Sequence, residues 1–251
     1  MSFEEKINRS AEMIRTARII VAFSGAGIST ESGLSDFRSS GGLWDRYRMV
    51  TYQEFLSDEE VRKEYWQMRR ELIPGLLAAE PNQAHHALTE LQQNNKLHGV
   101  ITQNIDGLHQ AAGSEPVIEL HGTNMSASCL ACGHQWPIAE IQQRLERGEA
   151  VPKCTDCNGL IKPDTVSFGQ SMPVAAMAHA YELAEQCDLM LMIGSSLEVQ
   201  PAGIIPAVAA EAGAELIFIN RDPTPYDDLA CVCFCENAGA VLEELVERAI
   251  G

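Results

Sequence analysis

The chain is short of positive charge: 18 Lys and Arg stand against 35 Asp and Glu in 251 residues, for a formal net charge of −17. Such a balance repels a phosphate backbone unless basic residues cluster locally, and the sequence shows no such cluster. Direct nucleic-acid binding is not expected; a cationic partner such as a lysine-bearing protein tail suits the field better. Long hydrophobic runs are missing too. No apolar stretch approaches the roughly 18 residues that cross a bilayer, and the opening Met1-Ser-Phe-Glu-Glu-Lys is too charged to begin a secretory signal. A cytoplasmic protein with no membrane partner is expected. No internal repeat or low-complexity tract interrupts the chain.

Cysteine, by contrast, is present eight times, which in a reducing compartment argues for free thiols or metal ligands over a disulfide framework. Cys129-x-x-Cys132 and Cys154-x-x-Cys157 form two knuckles at the spacing of a tetrahedral zinc site. Four thiolates leave no open coordination position, so one structural ion would hold the segment together rather than activate water. Iron in the same ligand set and four unliganded thiols are the alternatives. Cys231, Cys233 and Cys235 alternate along an expected strand and read as small buried hydrophobes, with metal chelation or oxidation as the other reading. Cys187 ends a helical stretch and reads as core.

Apolar residues fall at helical spacing up to Thr16, and Arg18 to Phe23 is a continuous apolar run of strand length, the pattern of a buried parallel strand. Helical periodicity returns from Glu59 to Leu77 and from Gln83 to Gln93, the latter after Pro81-Asn82, which is good helix-start chemistry. Strands are predicted at His98–Thr102, Leu189–Ile193 and Leu216–Ile219, and an irregular loop between Ser35 and Tyr52. Alternating strands and helices define an α/β protein built on a doubly wound parallel sheet. Composition changes between about Ser126 and Leu160, where cysteines and turn formers replace buried strands, and this reads as a small insertion.

Two places are suited to chemistry. Gly25-Ala26-Gly27 follows a buried strand and lets the backbone turn tightly toward a pyrophosphate; the third glycine of a full dinucleotide fingerprint is replaced by Thr30, and a plain strand-to-loop turn is the alternative. Between Thr102 and Gly122, Gln103, Asn104 and Asp106 emerge where open α/β sheets place their ligand crevice. His121, with an ordinary imidazole pKa near 6.5, suits a general base if a substrate hydroxyl lies within reach. Judged on Glu119-Leu-His-Gly alone, a structural histidine is an equal alternative. His85, His86, His98, His109, His134 and His179 read as surface or satisfied positions.

Taken in order, Gly25-Ala-Gly-Ile-Ser, Asp36-Phe-Arg, Thr102-Gln-Asn-Ile-Asp, Leu120-His-Gly, the two cysteine pairs, Phe168-Gly and Gly194-Ser-Ser-Leu resemble the sirtuin family, most nearly its compact bacterial and archaeal members. The resemblance implies NAD-dependent removal of acyl groups, acetyl first, from protein lysine, releasing nicotinamide and O-acyl-ADP-ribose. It implies a Rossmann-like domain from residues 1–34, 76–125 and 163–251, a cofactor loop and helical insertion at 35–75, and a zinc-binding small domain at 126–162. By similarity, Gly25, Ala26, Gly27, Ser29 and Arg38 bind the NAD phosphates and ribose, Phe37 shields the reacting sugar from water, and Ile105 and Asp106 hold the nicotinamide amide. Gln103 and Asn104 grip the nicotinamide ribose. Gly194, Ser195, Ser196, Asn220 and Arg221 meet the adenosine half, with Ala238 near the adenine. His121 deprotonates a ribose hydroxyl, and Asn104 and Asp106 complete the catalytic set.

The substrate peptide is expected as an added strand between Val166, Phe168 and Gly169 on one side and Leu197 and Val199 on the other, a mode that asks little of its sequence. Thr165, Ser167 and Gln170 depart from the family pattern and leave acyl-chain preference open. Trp66-x-x-Arg69 half-matches the Tyr-x-x-Arg pair of sirtuins that prefer acidic acyl groups; an amphipathic helix with a wet arginine face is the simpler reading. A monomer or weak oligomer is expected. The rival functions are mono-ADP-ribosyl transfer, succinyl or malonyl removal, and a non-catalytic NAD-sensing module.

Overall fold

A computed structural model describes residues 1–36 and 46–251. Phe37 and Arg38, both assigned to the cofactor by resemblance, lie outside the described residues. In chain order the strands are β1 (Ile20–Ser24), β2 (Leu97–Thr102), β3 (Val117–Glu119), β4 (Gly122–Cys129), β5 (Gln135–Pro137), β6 (Ile161–Thr165), β7 (Leu189–Ile193), β8 (Glu215–Ile219) and β9 (Val232–Phe234). Six of them form a parallel sheet in the order β3-β2-β1-β7-β8-β9. The chain runs outward to one side of β1 and then returns to build the other, so the order reverses between β1 and β7, and open sheets bind ligands in the crevice at that point.

Strands β1 and β7 are buried at every position, which is why their sequences are unbroken apolar runs. The two-residue period divides their side chains between two cores. Ile20, Ala22, Leu189 and Leu191 pack beneath the helices Phe3–Thr16, Gln83–Gln93 and Ala238–Ile250. Val21, Phe23, Met190 and Met192 face the helices Val174–Gln186 and Ile205–Glu211. The Gln83–Gln93 helix begins where the sequence placed it, with the Asn82 side chain accepting the N–H groups of Ala84 and His85, two donors a helix start leaves without partners.

The second sheet is antiparallel, in the order β5-β4-β6. Ala127, Trp136 and Ile161 share one apolar cluster with Ile141 and Leu145 of the helix Ile138–Glu146 and with Phe55, Tyr65, Trp66 and Ile73 of the helices Tyr52–Ser57 and Glu59–Ala78. The helical insertion implied by the resemblance and the cysteine-bearing insertion read from composition thus pack together. Strand β4 begins at Gly122, ahead of the border expected at 126, and β6 runs to Thr165, past 162.

The cysteines near β9 correct another expectation: Val232 and Phe234 take the buried face, while Cys231 and Cys233 are half-buried and Cys235 is exposed. Cys187 is buried as expected. No helix among the described residues is long and apolar enough to cross a membrane.

Candidate active site

The turn after β1 is packed directly on the end of β7. Gly25 N–H donates to Ile193 O at 3.0 Å and Gly27 N–H to Gly194 O at 2.8 Å. A Cβ on Gly25 would lie 2.7 Å from Gly194 O, and one on Gly27 2.7 Å from Gly194 Cα. The glycines are therefore needed for backbone-to-backbone contact at the switch point. Two of the turn's N–H groups, read from sequence as meeting a phosphate, are already committed to the protein.

Beside this contact opens a cavity of about 630 Å³. Ala26, Gly27, Gln103, Asn104, Ile105 and His121 line it at the ends of β1, β2 and β3; Gly194, Ser195, Ser196, Asn220, Arg221 and Ala238 line the side toward β7 and β8; Val166, Phe168, Gly169, Val199 and Arg69 line the side toward the small sheet. Five predicted residues do not reach it. Gly25 supports the turn, Leu197 is 1% exposed with φ of +59°, and Trp66 is fully buried in the small-sheet cluster. Ser29 and Asp106 stand behind the wall, where the Ser29 hydroxyl donates to Asp106 Oδ2 at 2.7 Å and accepts from Asn104 Nδ2 at 3.0 Å. The other Asp106 oxygen accepts Leu108 N–H at 3.0 Å. Asp106 thus orients Asn104 rather than lining the cavity itself.

His121 is fixed on both sides of its ring and main chain. Its carbonyl accepts Val166 N–H at 2.7 Å, and its Nδ1 lies 2.9 Å from the Gln103 carbonyl oxygen. A carbonyl only accepts, so Nδ1 carries the proton and Nε2 holds the lone pair. Ser195, opposite, donates its hydroxyl to Gln103 Oε1 at 2.8 Å.

Sequence reasoning missed Tyr65, Met68, Val50 and Glu31, which also line the cavity. Tyr65 stands four residues before Arg69 on one helix, where side chains meet, and the Arg69 guanidinium rests 4.9 Å from the centre of its ring. Arg69 donates to Asn124 Oδ1 at 2.7 Å and reaches Thr165 Oγ1 at 3.4 Å. Nearby Lys162 is buried, its ammonium bonded to the carbonyls of Pro163 and Thr165, and burial pulls its pKa down to about 8.

Away from the cavity, Sγ atoms of Cys129, Cys132, Cys154 and Cys157 all lie within 4.8 Å of one another, and a Cβ on Gly159 would approach Cys129 Sγ to 2.8 Å. Four converging sulfurs at this spacing are the donor set and geometry of a closed zinc knuckle.

A switch-point crevice lined by an imidazole oriented through its Nδ1, on a sheet of Rossmann strand order, has the form of a nucleotide-binding α/β enzyme. The model of the Sir2 family matches residues 25–201. Over 247 residues the chain is 48% identical to an NAD-dependent protein deacetylase of Thermodesulfovibrio yellowstonii, an alignment covering 98% of this chain and 96% of that one. It also superposes on a Sir2 structure with a deacetylated p53 peptide and 3′-O-acetyl ADP ribose, at a TM-score of 0.91 and 35% identity over 96% of this chain and 97% of that one. A Sir2 structure with a p53 peptide and NAD+ gives a TM-score of 0.88 and 35% identity, covering 98% of each chain. This chain belongs to the Sir2 family.

Proposed function

We propose that the chain is an NAD-dependent protein-lysine deacetylase in which His121 is the general base. The carrying observation is the His121 tautomer: Nδ1–H is given to the Gln103 carbonyl, which leaves the lone pair on Nε2 of a ring that lines the cavity. NAD supplies the ribose carbon that nicotinamide leaves and the ribose hydroxyl that receives the acyl group. His121 Nε2 takes the proton of that hydroxyl. Asn104, held by Ser29, presents its amide to the sugar, and Gln103, held by Ser195, flanks it. Gly194, Ser196, Asn220, Arg221 and Ala238 receive the adenosine half.

The acyl-lysine segment of a protein or peptide lies as an added strand between Val166–Gly169 and Val199, with its acyl end toward Tyr65 and Met68. Acetyl is favoured over an acidic acyl group because the Arg69 guanidinium is held by Asn124 and Tyr65, contacts it would lose in turning to a carboxylate, and the Trp66 N–H is buried without a partner in the core cluster. Cys129, Cys132, Cys154 and Cys157 hold one zinc ion that ties β4 to the turn before β6. None of the eight cysteines is in a disulfide, which suits the reducing cytoplasm; the chain works there as a monomer or weak oligomer.

The test is incubation with acetylated and succinylated lysine peptides, with and without NAD, weighing all products. Deacetylation that needs NAD and yields O-acetyl-ADP-ribose is expected, and His121→Tyr should abolish it while NAD still binds. Label transferred to protein would identify a mono-ADP-ribosyltransferase; NAD binding without any turnover would identify a sensor.

A further inference from the structure

Behind the cavity floor, beneath the turn that carries Asn104, two imidazoles are sealed from solvent: His85 is 0% and His109 1% exposed. Their ring centres lie 4.8 Å apart at an interplanar angle of 61°. Asn82 holds the first ring, and the tautomer of the second follows from its neighbours. The Asn82 amide is oriented by its Nδ2, which donates to Ile28 O at 2.7 Å and Ser32 Oγ at 3.0 Å. Its oxygen lies 3.0 Å from His85 Nδ1 and the Asn82 backbone N–H reaches the same nitrogen at 3.3 Å, so either neutral tautomer of His85 finds a partner on Asn82. The Ser24 hydroxyl spends its single proton on Thr102 Oγ1 at 2.8 Å, so His109 Nε2, 2.8 Å from the same oxygen, must be the donor there.

His109 Nδ1 is left as a lone-pair nitrogen, and both it and His85 Nε2 are buried without a protein partner. A buried polar atom left bare is costly. Protonating the rings is no remedy, because burial holds the pKa of His85 down at about 4 and that of His109 at about 3. A buried polar site with two unpartnered ring nitrogens suits a water molecule, which donates to His109 Nδ1 and can either donate to or accept from His85 Nε2.

We propose that one internal water bridges His85 Nε2 and His109 Nδ1, making these two histidines a neutral brace that positions Asn104 and the glycine turn for the dinucleotide. The brace has two arms. From His109 the bonds run through Ser24 to Thr102 Oγ1, which also accepts Asn104 N–H at 3.0 Å. From His85 they run through Asn82 to Ile28 O, inside the turn that carries Ala26 and Gly27. His85 and His109 touch neither peptide nor dinucleotide; they are positioning residues, and their role rests on the NAD-dependent reading above.

Long-range ¹H–¹⁵N spectra of protein labelled at histidine test the brace without turnover. Expected at neutral pH are two neutral rings, His109 protonated at Nε2 with its Nδ1 in the range of a hydrogen-bonded acceptor, and both nitrogens of His85 hydrogen-bonded. The opposite tautomer at His109, or a His85 Nε2 without a hydrogen bond, overturns the proposal. His85→Asn keeps a donor to Asn82 and His109→Gln keeps the donor to Ser24, while each removes its side of the bridge. For each variant the Kd for ADP-ribose and the KM for NAD should rise about tenfold, roughly 1.4 kcal/mol, with the peptide KM within about twofold. The double variant should lose no more than either single one, the mark of one shared bridge. Unchanged ADP-ribose affinity, or losses that add, would refute the brace. Should the deacetylase reading fail while the brace stands, the tautomers and the ADP-ribose coupling still appear and only the turnover is missing.

Discussion

Gly27 lies against Gly194 so closely that a Cβ on Gly27 would sit 2.7 Å from the Gly194 Cα and 2.8 Å from its carbonyl oxygen. Gly194 in turn has a φ of +60°, a conformation that glycine adopts without the Cβ penalty. Neither backbone has a flexible side chain to yield. Gly27→Ala must separate the ends of β1 and β7, at an overpacking cost of about 1–3 kcal/mol. The expected result is a lowered thermal midpoint and a KM for NAD raised tenfold or more, as a tenfold change needs only about 1.4 kcal/mol at the site. A variant with wild-type melting and wild-type NAD affinity would show that the contact is dispensable.

The buried histidines set the acid side of stability. In the unfolded chain both titrate near the ordinary 6.5, whereas in the folded chain His85 waits until about 4 and His109 until about 3. Between these values the unfolded state binds more protons, so stability is full above about pH 6.5 and declines as the pH falls toward 4. The slope is at most about 1.4 kcal/mol per pH unit for each histidine. Urea midpoints measured from about pH 7 to about pH 5 should fall, and His109→Gln should remove roughly half of that decline. A midpoint independent of pH over this window contradicts the assignment of both rings as neutral.

Metal removal should act on the small sheet first. Cys129 and Cys154 belong to the same apolar cluster as Trp136, Ile141 and Trp66, so the four thiols and this core depend on one another. Mass spectrometry of the native protein is expected to find one zinc per chain. A strong chelator, or Cys157→Ser, should weaken near-ultraviolet signals from Trp136 and Trp66 and abolish deacetylation, while the parallel sheet keeps most of its far-ultraviolet signal. Full activity in metal-free protein would make the cluster an incidental group of thiols.

Much of the large domain was legible because its determinants are local. Leu189–Ile193 is an unbroken apolar run since the strand is covered on both faces, and Asn82 announces its helix by its own chemistry. The paired cysteines are likewise adjacent in sequence. What sequence could not reveal depends on contacts between distant residues: Gly27 against Gly194, His109 against Ser24 and His85, and the three-stranded sheet whose strands carry no clean alternation. Helical spacing favoured a wet arginine face, whereas Arg69 is half-buried against Asn124, and it could not decide whether Trp66 or Tyr65 shares its surroundings. Both lie within about a turn of Arg69, and the packing of the helix against Ile138–Glu146 and Tyr52–Ser57 buries the indole while Tyr65 lines the cavity.

Arg69 decides how that cavity treats the acyl group. A guanidinium donating to Asn124 Oδ1 at 2.7 Å and stacked over Tyr65 is held as part of the wall, and turning two parallel donors toward a carboxylate would cost it these contacts. Wild-type kcat/KM should therefore favour an acetyl-lysine peptide over its succinyl counterpart by at least about tenfold, or roughly 1.4 kcal/mol in transition-state stabilisation. Arg69→Ala frees Asn124 and the Tyr65 ring, so acetyl turnover should fall several-fold and stability by about 1–3 kcal/mol, the range for a lost hydrogen bond to a charged group. Succinyl turnover should drop in proportion, leaving the ratio near its wild-type value. If instead the wild type prefers the succinyl peptide and Arg69→Ala removes that activity alone, the guanidinium is a carboxylate ligand and the chain acts on acidic acyl groups.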